Sequence, residues 1–193
     1  GSQIPSASVP RIAAARGDPD RADWSKAALL SNWSPLRGES TDRRVQARMA
    51  HDGEYLYEEL EEAGIDPRKL VLGGPVTVWD EDEWEVFFGR DRGACYRQMG
   101  LNAAGVHYDL AYGEPKQSWD SGVVLRSDVS ASDRWRVRMA LPLGQLVKGG
   151  TKPGDTLAFN AIRATQMVRS LAWSPTYGGF SEPTRMGEIH LAK

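Results

Sequence analysis

The chain has 193 residues, 40% of them hydrophobic and 26% charged, with 24 Lys and Arg against 26 Asp and Glu and a formal net charge of -2. That length supports a self-sufficient core, and no apolar run approaches the roughly 18 residues of a membrane-spanning helix. Balanced charge without a basic run argues against nucleic acid as a partner, and the single cysteine, Cys95, excludes an internal disulfide and a cysteine-cluster metal site. With 20 Gly, 11 Pro and seven Trp, the composition is turn-rich and Trp-rich, as in a β-sandwich that shows aromatic surface to a ligand.

Residues 1–15, which open on Gly1-Ser2 and carry Ser and Pro, read as a linker or a remnant of protease cleavage. Residues 16–193 are expected to form one domain. Asp23 to Leu30 (DWSKAALL) suits a short helix capped by Asp23. From residue 43 the period becomes two: Val45, Ala47 and Met49 alternate with Arg44, Gln46 and Arg48, the pattern of a half-buried strand. His51-Asp52-Gly53 supplies a turn. Tyr55 to Ala63 (YLYEELEEA) has helical propensity, but its surroundings favour a strand, in which Glu58 shares a face with Leu56 and Leu60.

Trp84, Val86 and Phe88 form one apolar strand face, opposite Glu85. Tyr96–Leu101, Val106–Tyr112 and Gly122–Arg126 are further short strands. Trp135, Val137, Met139 and Leu141 alternate with Arg134, Arg136 and Arg138 up to Pro142. A helical turn is expected at Leu143–Val147 and a reversal at Lys152-Pro153-Gly154-Asp155. Strands at Thr156–Thr165 and Met186–Leu191 complete the chain. About nine to eleven short strands with little helix predict an all-β, antiparallel sandwich of jelly-roll or immunoglobulin-like type.

Few motifs carry chemistry. The acidic run Asp80-Glu81-Asp82-Glu83, with Glu85, suits a solvated loop or a calcium site, which needs six to eight oxygen ligands; Asp80 and Asp82 are the candidate ligands. A glycosidase would need two carboxylates roughly 5–9.5 Å apart across the sugar, and neighbours in one loop do not guarantee that. His51, His107 and His190 are far apart and form no zinc pattern. No GxSxG elbow or phosphate-binding glycine loop occurs. The aromatics say more. Trp84 and Trp135 fall on apolar strand faces and belong to the core. Trp79 precedes the acidic run in a loop, and Trp173, Tyr177 and Phe180 lie in the late loop AWSPTYGGFSEP. Sugar rings present C–H faces that lie flat on aromatic rings, and hydroxyls that need carboxylates beside them; Trp79, Tyr177 and Phe180 with Glu85 supply both. Loop aromatics that merely cover the end of the sandwich are the competing reading.

The ordered series HDGEYLY (51–57), VWDEDEWEVFF (78–88), YRQMGLNAAG (96–105), WRVRMALPLGQL (135–146), PGDTLAFNAIRAT (153–165) and AWSPTYGGFSEPTRMGEIHL (172–191) resembles a family 9 carbohydrate-binding module, within the wider DOMON-like sandwiches that bind sugars or haem. The resemblance implies a non-catalytic saccharide-binding sandwich, an accessory module of a secreted or periplasmic polysaccharide-degrading enzyme, with structural calcium in some members. It implies that Trp79 and Phe180 clamp a sugar ring and that Glu85 bonds its hydroxyls. Two other polar ligands of the family are absent, since the late-strand amide aligns with Ile162 and an arginine with Met167. Asn160 and Arg163 fit a pattern of the wider family, as sugar contacts or as structural ties between strand and loop. A haem-binding, electron-transfer DOMON domain is the alternative and would draw axial ligands from Met99, His107, Met139, Met167 and Met186. A structural appendage with a decayed sugar site is another.

Overall fold

The computed structural model describes residues 4–72, 81–165 and 168–193. Within them lie thirteen strands: β1 (Ser6–Val9), β2 (Ala28–Leu30), β3 (Ser34–Pro35), β4 (Arg44–His51), β5 (Tyr55–Ala63), β6 (Glu83–Gly89), β7 (Tyr96–Asn102), β8 (His107–Tyr112), β9 (Val124–Asp128), β10 (Arg134–Pro142), β11 (Thr156–Ala164), β12 (Leu171–Ala172) and β13 (Gly187–Leu191). Helical structure among the described residues is confined to single 3-10 turns. The first sheet runs β1-β13-β11-β6-β7-β8, with β12 and β3 continuing from β11; the second runs β2-β4-β5-β10-β9. The fold is an all-β sandwich, as the alternating pattern indicates.

The alternation assigns the faces directly. Trp135, Val137, Met139 and Leu141 of β10 are fully buried between the sheets, against Val86 and Phe88 of β6 and Phe159 of β11. Three tryptophans from different elements meet there. Trp84 lies 5.7 Å from Trp135, and Trp33 approaches Trp84 edge-on at 5.9 Å. Such pairs add about 0.5–1.5 kcal/mol beyond the area they bury.

Two expectations are corrected. Asp23–Leu30 is not a helix. Asp23 caps a single 3-10 turn over Trp24–Lys26, and the next residues become β2, whose backbone pairs with β4 from Ala28 opposite Met49 to Leu30 opposite Ala47. Pairing with an existing strand outweighs weak local propensity. Residues 1–15 are not simply a linker. Ser6–Val9 forms β1, parallel to β13, and Val9, Ile12 and Ala15 are buried. After Pro10 the chain crosses to the second sheet, where His51 N–H donates to Pro10 O (3.0 Å) and Ile12 N–H to His51 O (2.8 Å). The His51 ring accepts from Gly53 N–H at Nδ1 (3.0 Å), so Nε2 carries the proton and donates to Ala192 O (2.7 Å). The backbone and neutral ring of His51 together thus tie both ends of the fold to the turn at Gly53, whose φ of +91° is a conformation that favours glycine.

The strand β5 carries two buried carboxylates between the sheets. Glu62 is paired. Arg43 grips it with two bonds of 2.9 Å, and Arg163 Nε stands 3.0 Å away. Arg163 also pairs with Asp82 at 3.0 Å, donates to Ala164 O at 2.7 Å, and lies over the rings of Trp135 (5.0 Å) and Trp84 (5.8 Å). Glu58 is different. It stands between Met49 of β4 and Met139 of β10 in the same core, and neither of its oxygens has a hydrogen-bond partner. Burial pushes its carboxyl up to about 8, so it is mainly neutral at pH 7.

Two outcomes are expected. Glu58 binds its proton more tightly folded than unfolded, so its contribution is most favourable below its ordinary pKa near 4.5 and is lost as pH rises towards 8. At one pK unit per 1.36 kcal/mol, the loss is on the order of 5 kcal/mol. The stability gained by Glu58→Met over wild type should therefore grow between pH 5 and pH 8 in urea titrations. A constant difference would contradict the neutral assignment. Arg163→Met leaves two buried carboxylates without their shared partner, and should lower the unfolding free energy by about 3–5 kcal/mol in the same assay.

Candidate functional site

The outer face of the first sheet carries the candidate site. On β6, Trp84, Val86 and Phe88 point into the sandwich, so Glu83, Glu85 and Phe87 point to the other side. Register then decides what meets them. Glu85 pairs with Ile162 of β11 on one side and Gly100 of β7 on the other, and Gly100 pairs with Tyr108 of β8. A side chain at Gly100 would collide with Tyr108, whose ring atoms lie within 2.2 Å of where a Cβ would stand. The missing side chain lets Tyr108 lie flat across β7, and its hydroxyl donates to Glu85 Oε1 at 3.2 Å. The Gln98 amide donates to the same oxygen.

Glu85 is shielded from solvent, at 1% exposure, although it is not part of the sandwich core. Its carboxyl is raised by burial, partly offset by hydrogen bonds from Glu83, Gln98 and Tyr108. Glu83 is raised by burial and then by the charge of Glu85. Two adjacent carboxyls in one buried site cannot both ionise cheaply, so the pair holds a proton at neutral pH. Tyr108 is raised by burial and by the charges of Glu85 and Glu83, which keeps its hydroxyl a donor. Beside Glu83, Glu81 accepts from the Asn102 amide at 2.9 Å, and Asn102 caps the following turn through Ala104 and Val106.

Aromatic side chains border this polar strip. Tyr96 stacks on Tyr112 at 4.7 Å, Phe87 lies 6.4 Å from Tyr96, and the half-buried Phe180 packs with Leu36 against the cluster that contains Phe87 and Ile162. Phe180 and Glu85, from distant parts of the chain, therefore share one face. Tyr177 is 45% exposed, with φ of 55°. The Arg185 guanidinium lies 4.9 Å from the Tyr177 ring centre, and the Tyr177 backbone N–H donates to Leu36 O at 2.7 Å. Trp79 lies outside the described residues, as do Asp80 and Met167.

The other candidates take different roles. Arg163 is not a surface contact. It faces the sandwich interior at 3% exposure, bound to Glu62 and Asp82. Asn160 is also a structural tie: its amide donates to Ser174 O, and its oxygen accepts from Ser174 N–H, both at 2.9 Å. Asp82 does not fit a calcium ligand here, because Oδ1 pairs with Arg163 and Oδ2 accepts Val71 N–H at 2.7 Å. Among the described residues no group of three His, Cys, Asp or Glu side chains could hold a metal. The proposed haem ligands are dispersed. Met99 and Met139 fill the core, Met186 is buried in the outer-face cluster, and His107 bonds Asp109 at 2.9 Å. A cavity of about 570 Å³ opens at the end of the sandwich beside Arg43, Glu62, Asp82 and Arg163, but these charges neutralise one another.

Sequence reasoning missed Gln98, Tyr108 and Glu83. The available signal was Gly100, a glycine inside a strand, which marks close approach by another group.

No family model and no curated protein matches the chain. Solved structures do. A candidate carbohydrate-binding protein from Bacteroides uniformis superposes with a TM-score of 0.70 at 18% identity, covering 98% of this chain and 100% of that one. A family 9 carbohydrate-binding module from Caldicellulosiruptor kristjanssonii in complex with cellotriose gives 0.69 at 16% identity, covering 97% and 94%. A family 9 module from the same organism in complex with glucose gives 0.67 at 15%, covering 98% and 97%. The common element is architecture across nearly the whole of each chain: this protein has the β-sandwich fold of a family 9 carbohydrate-binding module.

Proposed function

We propose that the protein is a non-catalytic saccharide-binding module whose ligand lies on the outer face of the first sheet. The observation that carries this reading is the polar strip of Glu85, Gln98 and Tyr108, set beside Tyr96, Tyr112 and Phe180 on one face. Sugars need both kinds of surface. Apolar C–H faces gain about 25 cal/mol per Å² when covered by rings, and hydroxyls gain from charge-assisted bonds to a carboxylate. The reading keeps Trp79 as the second clamping ring with Phe180, as the family resemblance implies. The departure at Ile162 has a local remedy. Ile162 faces Glu85 from β11, and an amide reaches Glu85 from the opposite side, on Gln98 of β7. The reading extends to an accessory role beside a polysaccharide-degrading catalytic domain, outside the cell or in the periplasm. No helix among the described residues is long and apolar enough to cross a membrane.

Affinity electrophoresis through soluble glucans, with calorimetry on cello-oligosaccharides, tests the proposal. The wild type should be retarded. Trp79→Ala and Phe180→Ala should each weaken binding by about tenfold or more, the loss of one stacking face, while unfolding temperatures stay within a few degrees. Trp135→Ala, in the core, should instead destabilise the fold by about 3–5 kcal/mol. A wild-type protein that binds none of a broad saccharide panel would overturn the reading.

A further inference from the structure

Apart from the proton that Glu83 and Glu85 share, three polar atoms on the outer face of the first sheet have no hydrogen-bond donor among the described residues: Glu83 Oε2, Glu85 Oε2 and Gln98 Oε1. All three belong to side chains at most 2% exposed. Buried polar atoms without partners are rare, and each costs roughly 1–3 kcal/mol. Gln98 Oε1 can only accept, and the two carboxyl oxygens accept wherever the shared proton does not lie. The donors nearby are already engaged, with the Gln98 amide and the Tyr108 hydroxyl both directed at Glu85 Oε1. The three side chains are contiguous. Glu83 and Glu85 are hydrogen-bonded neighbours on β6, and Gln98 reaches Glu85 from β7. The cation whose charge reaches Glu83, Arg163, belongs to the opposite face of the sheet and is held by Glu62 and Asp82.

We infer that this cluster of an amide oxygen and a carboxyl pair makes the module prefer amino sugars, saccharides carrying a protonated amine, over neutral and acidic ones. The inference rests on the saccharide-binding reading of the same face. A sugar ammonium presents three N–H donors and one positive charge, which match three donorless acceptors and a carboxyl pair. It replaces the proton that the pair otherwise shares, so both carboxylates ionise against it. A neutral sugar offers single hydroxyl donors and leaves the shared proton in place. A uronic acid adds a second negative charge beside the carboxyl pair. The ligand approaches from β8, the edge strand of the sheet, where the half-exposed Tyr108 lies across Gly100. Turning that ring aside gives up its 3.2 Å hydrogen bond to Glu85, which the ammonium replaces with charge-assisted ones.

The test is calorimetric titration of the wild type at pH 6.5 with four trisaccharides: a glucosamine trimer, its N-acetylated counterpart, cellotriose and a galacturonate trimer. The glucosamine trimer should bind about tenfold more tightly than the two neutral ones, the difference between a charge-assisted and a neutral hydrogen bond. The galacturonate trimer should bind weakest. The double variant Glu83→Gln/Glu85→Gln, confirmed as folded by its unfolding transition, should bring the ratio of glucosamine to cellotriose affinity close to one. Whether or not that variant folds, the wild-type preference should persist in 0.5 M salt, because buried pairs are screened far less than surface charges. Cellotriose binding as tight as or tighter than the amino trimer would overturn the preference and leave the saccharide reading standing. A preference that vanishes in salt, or survives in the folded double variant, would also overturn it. No binding of any of the four would remove both.

Discussion

The sandwich is organised around one buried cation. Arg163, on β11 of the first sheet, reaches Glu62 on β5 of the second and Asp82 at the entry to β6, and its guanidinium lies over Trp84 and Trp135. A lone guanidinium at this depth would be prohibitive, and two carboxylates with two aromatic faces make it tolerable. Each partner is set by another contact. Arg43 holds Glu62 with two bonds, and Val71 N–H holds Asp82. The relative position of the two sheets is therefore fixed at one end by directional bonds, which greasy packing alone would not provide. Asp82 lies one residue before Glu83, so this inward anchor also sets where the outward-facing carboxylates begin.

Much of this architecture was legible in the sequence. The alternations over Arg44–Met49, Trp84–Phe88 and Trp135–Leu141 assign the inner faces correctly because a strand has a side-chain period of two and the faces differ sharply in polarity. The placement of Glu58 with Leu56 and Leu60 follows from the same parity. What parity cannot supply is a partner from elsewhere in the chain. Ser6–Val9 has the composition of a linker and becomes a strand because β13 offers it a backbone edge. Ala28–Leu30 has helical character and becomes a strand because β4 does the same.

The candidate site shows the same division. Parity points Glu85 away from the sandwich core, and the late loop brings Phe180 to the same face. The identity of the side chains around Glu85 depends on the register of three antiparallel strands, and a one-residue slip would present the opposite face of each. Gln98 and Tyr108 become neighbours of Glu85 only in that register. Asn160 and Arg163 illustrate the converse. Both are polar residues on an apolar strand, a pattern that suits a ligand contact or a structural tie equally. Their environments decide it: Asn160 bridges β11 to the backbone at Ser174, and Arg163 bridges the two sheets.

Glu58 gives the folding reaction itself a chemical stoichiometry. An unfolded chain near pH 6.5 carries this carboxyl ionised, and the folded core accepts it mainly with its proton attached. Collapse of β5 against β4 and β10 is therefore coupled to proton uptake from the solvent, and unfolding releases that proton to whatever base the medium supplies. The measured heat of unfolding then contains the ionisation heat of the buffer as well as the heat of exposing the core. The same sandwich would return different calorimetric enthalpies in phosphate and in an amine buffer, at identical pH and with identical packing.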